Sequence, residues 1–327
     1  MQWLRKRLGC SGKGRLEVIE CLKTQLTSLT QNDLKLSIGL NDEDLEQLAT
    51  RYDFSFIAKH IPHRGDSDNL KLIAWFGSAI TDLACWDLNE NKEDILVEGA
   101  LFNLGISLFD SVIDEIPNKK LELLHAINVS GIEKRIIKPN DEESRLASND
   151  NVINHIAIIF DGVFSSLGKR MPYSPNEPFI SELIRLIRLM YNSEVRVDEN
   201  PFNAKSLPII FLGKLGITNS FRPETEVFYN KLGQFIQIYD DWMDMADDFL
   251  KGKPNYFFNN RIFYPSFLKY VVYYFNFFKR IISGSIYHSQ TAAIVGYFFR
   301  EVMHASAATN NVLYKKNIVL CQKIIFH

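Results

Sequence analysis

Two clusters of aspartates are the residues in this sequence best suited to chemistry. The first, LFDSVIDE, carries Asp110 and Asp114 four residues apart. The second, QFIQIYDDWMDMADD, contains Asp240, Asp241 and Asp244 as a DDxxD pattern. Asp110 and Asp114 share one face of a helix, as do Asp240 and Asp244, and like charges at this spacing repel. They therefore require a counter-charge, and a hard divalent cation such as magnesium suits oxygen ligands best.

The residues before Asp110 are overwhelmingly apolar, and an acidic pair at the end of an apolar helix costs free energy unless it is solvated, paired or bound to a cation. Magnesium is typically held by one or two carboxylates together with substrate phosphates. We therefore expect the two clusters to face each other and to supply the carboxylates for magnesium that also binds substrate phosphates. The alternative is a pair of unrelated, solvated helix ends.

The elements that must position these clusters are helices. Apolar residues recur at spacings of three and four, and sustained alternation with a period of two is hard to find, so the fold is predicted to be all-α. Helices are predicted at 70–88, 94–115, 152–167, 179–197, 204–215 and 225–249. No repeat or linker-like segment divides the chain, which favours one helical domain over residues 1–327.

The composition limits the possible partners. The 327 residues include 37 basic and 39 acidic side chains, a formal charge of −2, which gives no general electrostatic reason to bind nucleic acid. Four scattered cysteines without metal-ligand spacing and a start without an apolar signal stretch favour a cytoplasmic protein. Charges interrupt the apolar stretch at 263–282, so we expect no transmembrane segment.

Five ordered segments resemble the trans-isoprenyl diphosphate synthases and the class I terpene synthases that share their fold, over roughly residues 70–270. LFDSVIDE resembles the first aspartate-rich motif, with Ser111 replacing its second aspartate, and QIYDDWMD resembles the second motif with its preceding Gln237. Lys119 and Lys120 stand where the prenyl-adding enzymes carry paired arginines. KSLPIIFLGKLG, which begins at Lys205, and GKP, which contains Lys253, resemble the lysine segments of the family.

The resemblance implies a single-domain helical bundle of the class I isoprenoid synthase type around a central apolar cavity. It implies that magnesium, three ions with substrate bound, is held by Asp110, Asp114, Asp240 and Asp244. The substrate-binding residues implied are Lys205, Gln237, Lys253 and Lys119, with Lys205 also catalytic. Metals and lysines would neutralise the pyrophosphate leaving group of an allylic prenyl diphosphate. Taken alone, each lysine is more often a solvated surface residue.

The departures from the family pattern favour a terpene synthase that cyclises or rearranges the cation. Prenyl-adding members anchor a second diphosphate upstream of the first motif, where this chain offers Arg64 and neighbouring histidines. The paired arginines have become lysines, which lose bidentate geometry. Two alternatives stay open: a chain-elongating prenyltransferase that makes polyprenyl diphosphates, and a non-catalytic partner subunit of one.

The resemblance also suggests how long the substrate is. Gly105 is small at a position one turn before the first aspartate where bulk limits chain length in the family, so a geranylgeranyl or longer diphosphate is expected. Aromatic side chains could steer a carbocation with their ring faces. The candidates for cavity lining are Trp75, Phe76, Phe102 and Trp242, although rings at helical spacing are usually plain core. Homodimers are common among the resembling families.

Overall fold

The described part of the chain is built from α-helices. The computed structural model describes residues 39–85, 92–171, 178–195, 206–216, 223–251 and 255. Within these ranges there is no β-strand, which confirms the predicted all-α class. The helices are α1 Asp42–Arg51, α2 Phe54–His60, α3 Ser67–Asp82, α4 Lys92–Glu115, α5 Lys120–Ala126, α6 Val129–Ile137, α7 Asn151–Arg170, α8 Pro178–Val195, α9 Ser206–Leu215 and α10 Pro223–Lys251. Short 3₁₀ turns lie at Pro62–Arg64, Pro117–Lys119 and Glu142–Ser144.

Polar side chains fix where several of these helices begin. Each accepts a hydrogen bond from an amide in the first turn, where the helix itself leaves the backbone donors unpaired. The caps are Asn41 of α1 (2.9 Å to the Asp44 amide), Asp66 of α3 (3.0 Å to Asn69), Asn128 of α6 (2.9 Å to Gly131) and Asp150 of α7 (2.9 Å to Val152). These hydrogen bonds stabilise the first turns of the four helices.

Helices α3 and α4 approach each other closely at two glycines. A Cβ at Gly77 would overlap the carbonyl oxygen of Gly99, and a Cβ at Gly99 would overlap the hydroxyl of Thr81. The amide of Asn103 adds a hydrogen bond of 2.8 Å to the carbonyl of Ile73. This close contact fixes the position of α4, which carries the first aspartate cluster at its C-terminal end.

Aromatic rings fill the contact between α4 and α7. Phe109 meets Phe160 edge to face with ring centroids 6.4 Å apart, and Phe160 lies parallel to Phe164 at 5.9 Å. A Cβ at Gly105 would lie 3.0 Å from Cζ of Phe160, so this ring packs directly against the glycine. All three rings are buried, and pairs of this kind add to the stabilisation that area burial alone provides.

Two buried ion pairs join α7 to other helices. Arg170 at the end of α7 donates to both carboxylate oxygens of Glu98 on α4, at 2.6 and 3.2 Å, and Ser166 donates to the same carboxylate at 2.8 Å. Arg135 of α6 contacts Asp161 of α7 at 2.8 Å. Because each charge is paired and hydrogen-bonded, these groups can be buried between the helices.

The predicted helices agree with the structure except at some ends. The first one was expected to reach residue 88, but α3 ends at Asp82 and the chain turns at Leu83–Cys85. The buried carboxylate of Asp82 accepts a hydrogen bond of 2.8 Å from the Gly39 amide and contacts the Lys92 ammonium at 2.7 Å, contacts that hold this end in place. The sequence analysis names no separate helix at α1, α2, α5 or α6, which are only seven to ten residues long.

The chain divides into two compact units. One comprises Ser37–Asn200 and Leu207–Asn230, and the other comprises Met1–Leu36, Pro201–Ser206 and Lys231–His327. The first unit contains α1 to α8, and both α9 and α10 run from one unit into the other. The predictions of one domain and of a central apolar cavity stay predictions.

Helix α4 is also the one helix of the described ranges that is long and apolar enough to cross a membrane. Of its most apolar stretch, 72% is buried inside the protein, as in the core helix of a folded domain. The described residues therefore contain no clear transmembrane segment, in agreement with the sequence analysis. The apolar stretch at 263–282 lies outside the described residues.

Replacing Glu98 with alanine should lower the free energy of unfolding by about 3–5 kcal/mol, because the charge of Arg170 stays buried without its partner. Urea denaturation followed by circular dichroism measures this change. The matched control is Glu93→Ala, an exposed position in the first turn of the same helix, which should cost less than about 1 kcal/mol. Equal losses in the two variants would contradict a buried pair.

Candidate functional site

The first aspartate cluster lies at the C-terminal end of α4. Asp110 and Asp114 are one turn apart; the side chain of Asp110 is 41% exposed, and Asp114 is exposed. Ser111 and Val112 between them are buried, so the helix turns its carboxylates outward and its apolar face into the core. The predicted pairing of the two carboxylates on one helix turn is confirmed for this segment.

Arg64 supplies a counter-charge to this cluster from within the chain. Its Nη2 lies 2.8 Å from Oδ2 of Asp110. Its Nε donates to the carbonyl oxygen of Ser107 at 3.0 Å and to the hydroxyl of Ser111 at 2.5 Å. The sequence analysis noted Arg64 as the remaining basic residue of the upstream segment but did not predict this contact. Because the clustered aspartates need a counter-charge, a contact between Arg64 and Asp110 could have been expected from the sequence.

A tight backbone turn positions the side chain of Arg64. Pro62 begins a 3₁₀ turn that ends at Arg64, and Gly65 follows in a left-handed conformation at φ 79°. The side-chain amide of Asn69 donates to the Arg64 carbonyl at 2.8 Å, and Asp66 caps α3 immediately afterwards. A residue with a Cβ is strained at such a φ, so the glycine makes this turn possible.

Lys119, a predicted substrate-binding residue, has a partner within the protein. Its ammonium forms an ion pair with Asp150, the cap of α7. Burial acts to raise the pKa of Asp150, but the hydrogen bonds from Lys119 and from the Ile153 amide outweigh it and lower this pKa. Lys119 therefore stabilises the start of α7, whatever else it binds.

The second aspartate cluster lies within α10, as predicted. Asp240 is half-buried, whereas Asp241 and Gln237 are buried. Buried Asn255 donates from its side-chain amide to the Asp241 carbonyl at 2.7 Å and to the Asp248 carboxylate at 2.7 Å. This pair of hydrogen bonds holds the Asn255 side chain against the helix that carries the second cluster.

The remaining predicted polar residues are only partly described. Asp244 lies in α10, but its side chain, like that of Trp242, is outside the described residues, and so are Lys205 and Lys253. Ser206, which follows Lys205, begins α9 and lies against Gly233 of α10, where a Cβ would come within 2.8 Å of its carbonyl oxygen. The proposed facing of the two clusters stays a prediction, because Asp110 and Asp240 belong to different units.

The candidates for cavity lining differ in their surroundings. Phe102 is 1% exposed and stacks on Phe211 of α9 with ring centroids 4.0 Å apart, an ordinary core contact. Trp75 and Phe76 on α3 are half-buried. Gly105 is covered by the ring of Phe160, so its small size does not by itself leave open space along α4.

Oxygen ligands of the right kind for magnesium are present in the first cluster, since Asp110 and Asp114 offer carboxylates on one exposed helix turn. Among the side chains described here, no three or more acidic, histidine or cysteine residues form a ready-made metal-binding group. Two carboxylates are nevertheless the usual protein contribution to a magnesium ion that also binds substrate phosphates. The donor chemistry of the cluster therefore fits magnesium, with Arg64 as a competing cation.

Comparisons with family models, with curated proteins and with solved structures give no match. The resemblance to isoprenoid synthases rests on the motifs of the sequence and stays a prediction.

The pH dependence of stability should reveal the ion pairs around Glu182 of α8. Arg185 and, at 3.0 Å, Lys214 of the predicted lysine segment lower the pKa of Glu182 from 4.5 to about 2. Because the folded state binds this proton less tightly than the unfolded one, the stabilisation is present above about pH 4.5 and is lost as the pH falls towards 2.

Glu182→Gln should therefore be less stable than the wild type at neutral pH, and the difference should shrink as the pH falls from about 4.5 to about 2. Urea unfolding at a series of pH values measures it. Glu142→Gln, at an exposed surface position, is the control and should show no such trend. A difference for Glu182→Gln that is constant across this range would contradict the assigned pairing.

Proposed function

We propose that the protein is a class I terpene synthase. It ionises an allylic prenyl diphosphate with magnesium, cyclises or rearranges the resulting cation, and releases pyrophosphate. The observation that carries this proposal is the exposed carboxylate pair of Asp110 and Asp114 at the end of a buried apolar helix. The helical placement of Asp240 in α10 supports it, because the second family motif is also carried on a helix.

In this proposal each polar group has a distinct task. The metal-holding residues are Asp110, Asp114, Asp240 and Asp244, and the residues that bind the diphosphate are Lys205, Lys253, Lys119 and Gln237. When bound, magnesium would supply Lewis-acid stabilisation of the pyrophosphate leaving group. The lysine ammonium groups act as point charges on phosphate oxygens, and the apolar helices around the site exclude water from the cation.

Arg64 favours cyclisation over chain elongation. An elongating enzyme must hold a second diphosphate, and Arg64 is the basic residue of the segment that would do so. In the structure its guanidinium is committed to Asp110, Ser107 and Ser111. While it is paired with Asp110, this guanidinium is not presented to a second substrate. We therefore keep the cyclase as the proposed activity, acting on a geranylgeranyl or longer diphosphate.

The direct test is incubation of the full chain with individual C10 to C25 prenyl diphosphates and magnesium, with and without isopentenyl diphosphate. Hydrocarbon products with pyrophosphate release, independent of isopentenyl diphosphate, are expected. Longer linear diphosphates that need isopentenyl diphosphate would identify an elongating enzyme instead. Release of no pyrophosphate from any substrate would refute the proposal and favour a non-catalytic partner subunit. Exclusive turnover of the shortest substrate would contradict the expected chain length.

Asp110→Ala and Asp240→Ala should each reduce turnover by at least about 100-fold while leaving helix content unchanged, because each removes a proposed metal ligand and little core volume. Pyrophosphate release and far-ultraviolet circular dichroism measure the two effects. Asp94→Ala is the matched control: it removes an exposed carboxylate from the other end of α4, about 24 Å from Asp110 along the helix, and should keep near-normal activity. Near-normal activity in both aspartate variants would refute the assigned site.

A further inference from the structure

The hydrogen bonds of Arg64 to the last turns of α4 indicate a role for this residue at the first aspartate cluster. We propose that Arg64 is the resident counter-ion of the first aspartate cluster and that a divalent cation has to compete with its guanidinium for the carboxylate of Asp110. The inference deepens the proposed function, on which it rests for the identity of the competing ion. It assigns a positioning and regulating role within the site and does not make Arg64 a residue that reacts.

The geometry matches the guanidinium to a single turn of α4. Three acceptors on this turn, the Ser107 carbonyl, the Asp110 carboxylate and the Ser111 hydroxyl, receive hydrogen bonds from Arg64 at 3.0, 2.8 and 2.5 Å. A planar guanidinium with donors in a fixed fork suits such an arrangement, and a lysine ammonium does not reproduce it. The oxygen that Arg64 holds on Asp110 is one that a metal ion would need as a ligand.

The hydrogen bonds of Arg64 also explain why a serine can stand at position 111. The family pattern has a second aspartate here, and in this chain the position is 3% exposed. The serine hydroxyl accepts from Nε of Arg64 and donates to the Ser107 carbonyl at 3.1 Å, so the buried group is satisfied without adding a charge. The serine adds no charge beside the pair of Arg64 and Asp110, whereas a buried aspartate at this position would add an anion at a cost in desolvation.

The backbone holds Arg64 in place but leaves its side chain reachable. The left-handed Gly65 and the hydrogen bond from Asn69 fix the turn that carries it. The side chains of the ion pair are 29% exposed for Arg64 and 41% for Asp110, so ions from solvent can reach both. Because partly exposed ion pairs are weak, we expect the competition to change metal affinity only about two- to fivefold.

The experiment measures binding of Mn²⁺ to the full chain, without prenyl diphosphate, by electron paramagnetic resonance of the free ion. Arg64→Gln should bind Mn²⁺ about two- to fivefold more tightly than the wild type. The matched control is Arg188→Gln, which removes one positive charge from a surface pair with Glu133 and should change the affinity less. The double variant Arg64→Gln with Asp110→Asn should lose the gain, because the freed carboxylate is then gone.

Unchanged or weaker Mn²⁺ binding in folded Arg64→Gln, or an equal gain in Arg188→Gln, would overturn the inference. If Arg64→Gln does not fold, Arg64→Lys replaces it. This variant keeps the positive charge but loses the forked contacts to Ser107 and Ser111, so it should bind Mn²⁺ more tightly than the wild type by a smaller factor. No increase in Mn²⁺ affinity in Arg64→Lys would also overturn the inference. Binding is measured without substrate, so its outcome is separate from turnover. A wild type that turns over prenyl diphosphates while Arg64→Gln shows no gain would retain the proposed function and refute the role of Arg64.

Discussion

Carboxylates at the end of a buried apolar helix must be neutralised, and the first half of this structure is organised around that requirement. Helix α4 is anchored in the core by its packing on α3 and α7, so it cannot move to place its last turn deeper in solvent. Asp114 is exposed to solvent, and Asp110 receives a counter-charge from elsewhere in the chain. Arg64 does this for Asp110 through a short turn whose shape depends on Gly65, and the turn lies far from α4 in the sequence.

This arrangement changes how the resemblance to isoprenoid synthases is understood. In the sequence, Arg64 is what remains of the upstream segment that anchors a second diphosphate in the prenyl-adding enzymes, and no role is predicted for it. Instead it contacts the motif itself, together with Ser111, the position at which the motif departs from its usual pattern. Two departures that look independent in the sequence thus meet in one cluster of hydrogen bonds. In our proposal, the Arg64 guanidinium and a metal bound to phosphate compete to neutralise Asp110.

Helices α3, α4 and α7, which position the first aspartate cluster, pack through contacts that leave little room for larger side chains. Glycines allow the backbones of α3 and α4 to touch, and aromatic rings fill the space between α4 and α7. The buried pair Glu98–Arg170 joins α4 to α7, and the buried pair Arg135–Asp161 joins α6 to α7. Loss of one partner from such a pair is strongly destabilising. A rigid framework of this kind keeps Asp110 and Asp114 at a fixed spacing.

The helical class, the long helices and the placement of both aspartate clusters on helices could be predicted from the residues, because periodicity and i, i+4 spacing are local properties of the chain. Four short helices, α1, α2, α5 and α6, were not predicted, since their few residues carry little periodic signal. The pairing of Arg64 with Asp110, the pairing of Lys119 with Asp150 and the cover of Phe160 over Gly105 became visible only in the folded chain. These contacts join residues separated by tens of positions in the chain, and which side chains meet over such separations depends on how the helices pack, which residue spacing does not encode.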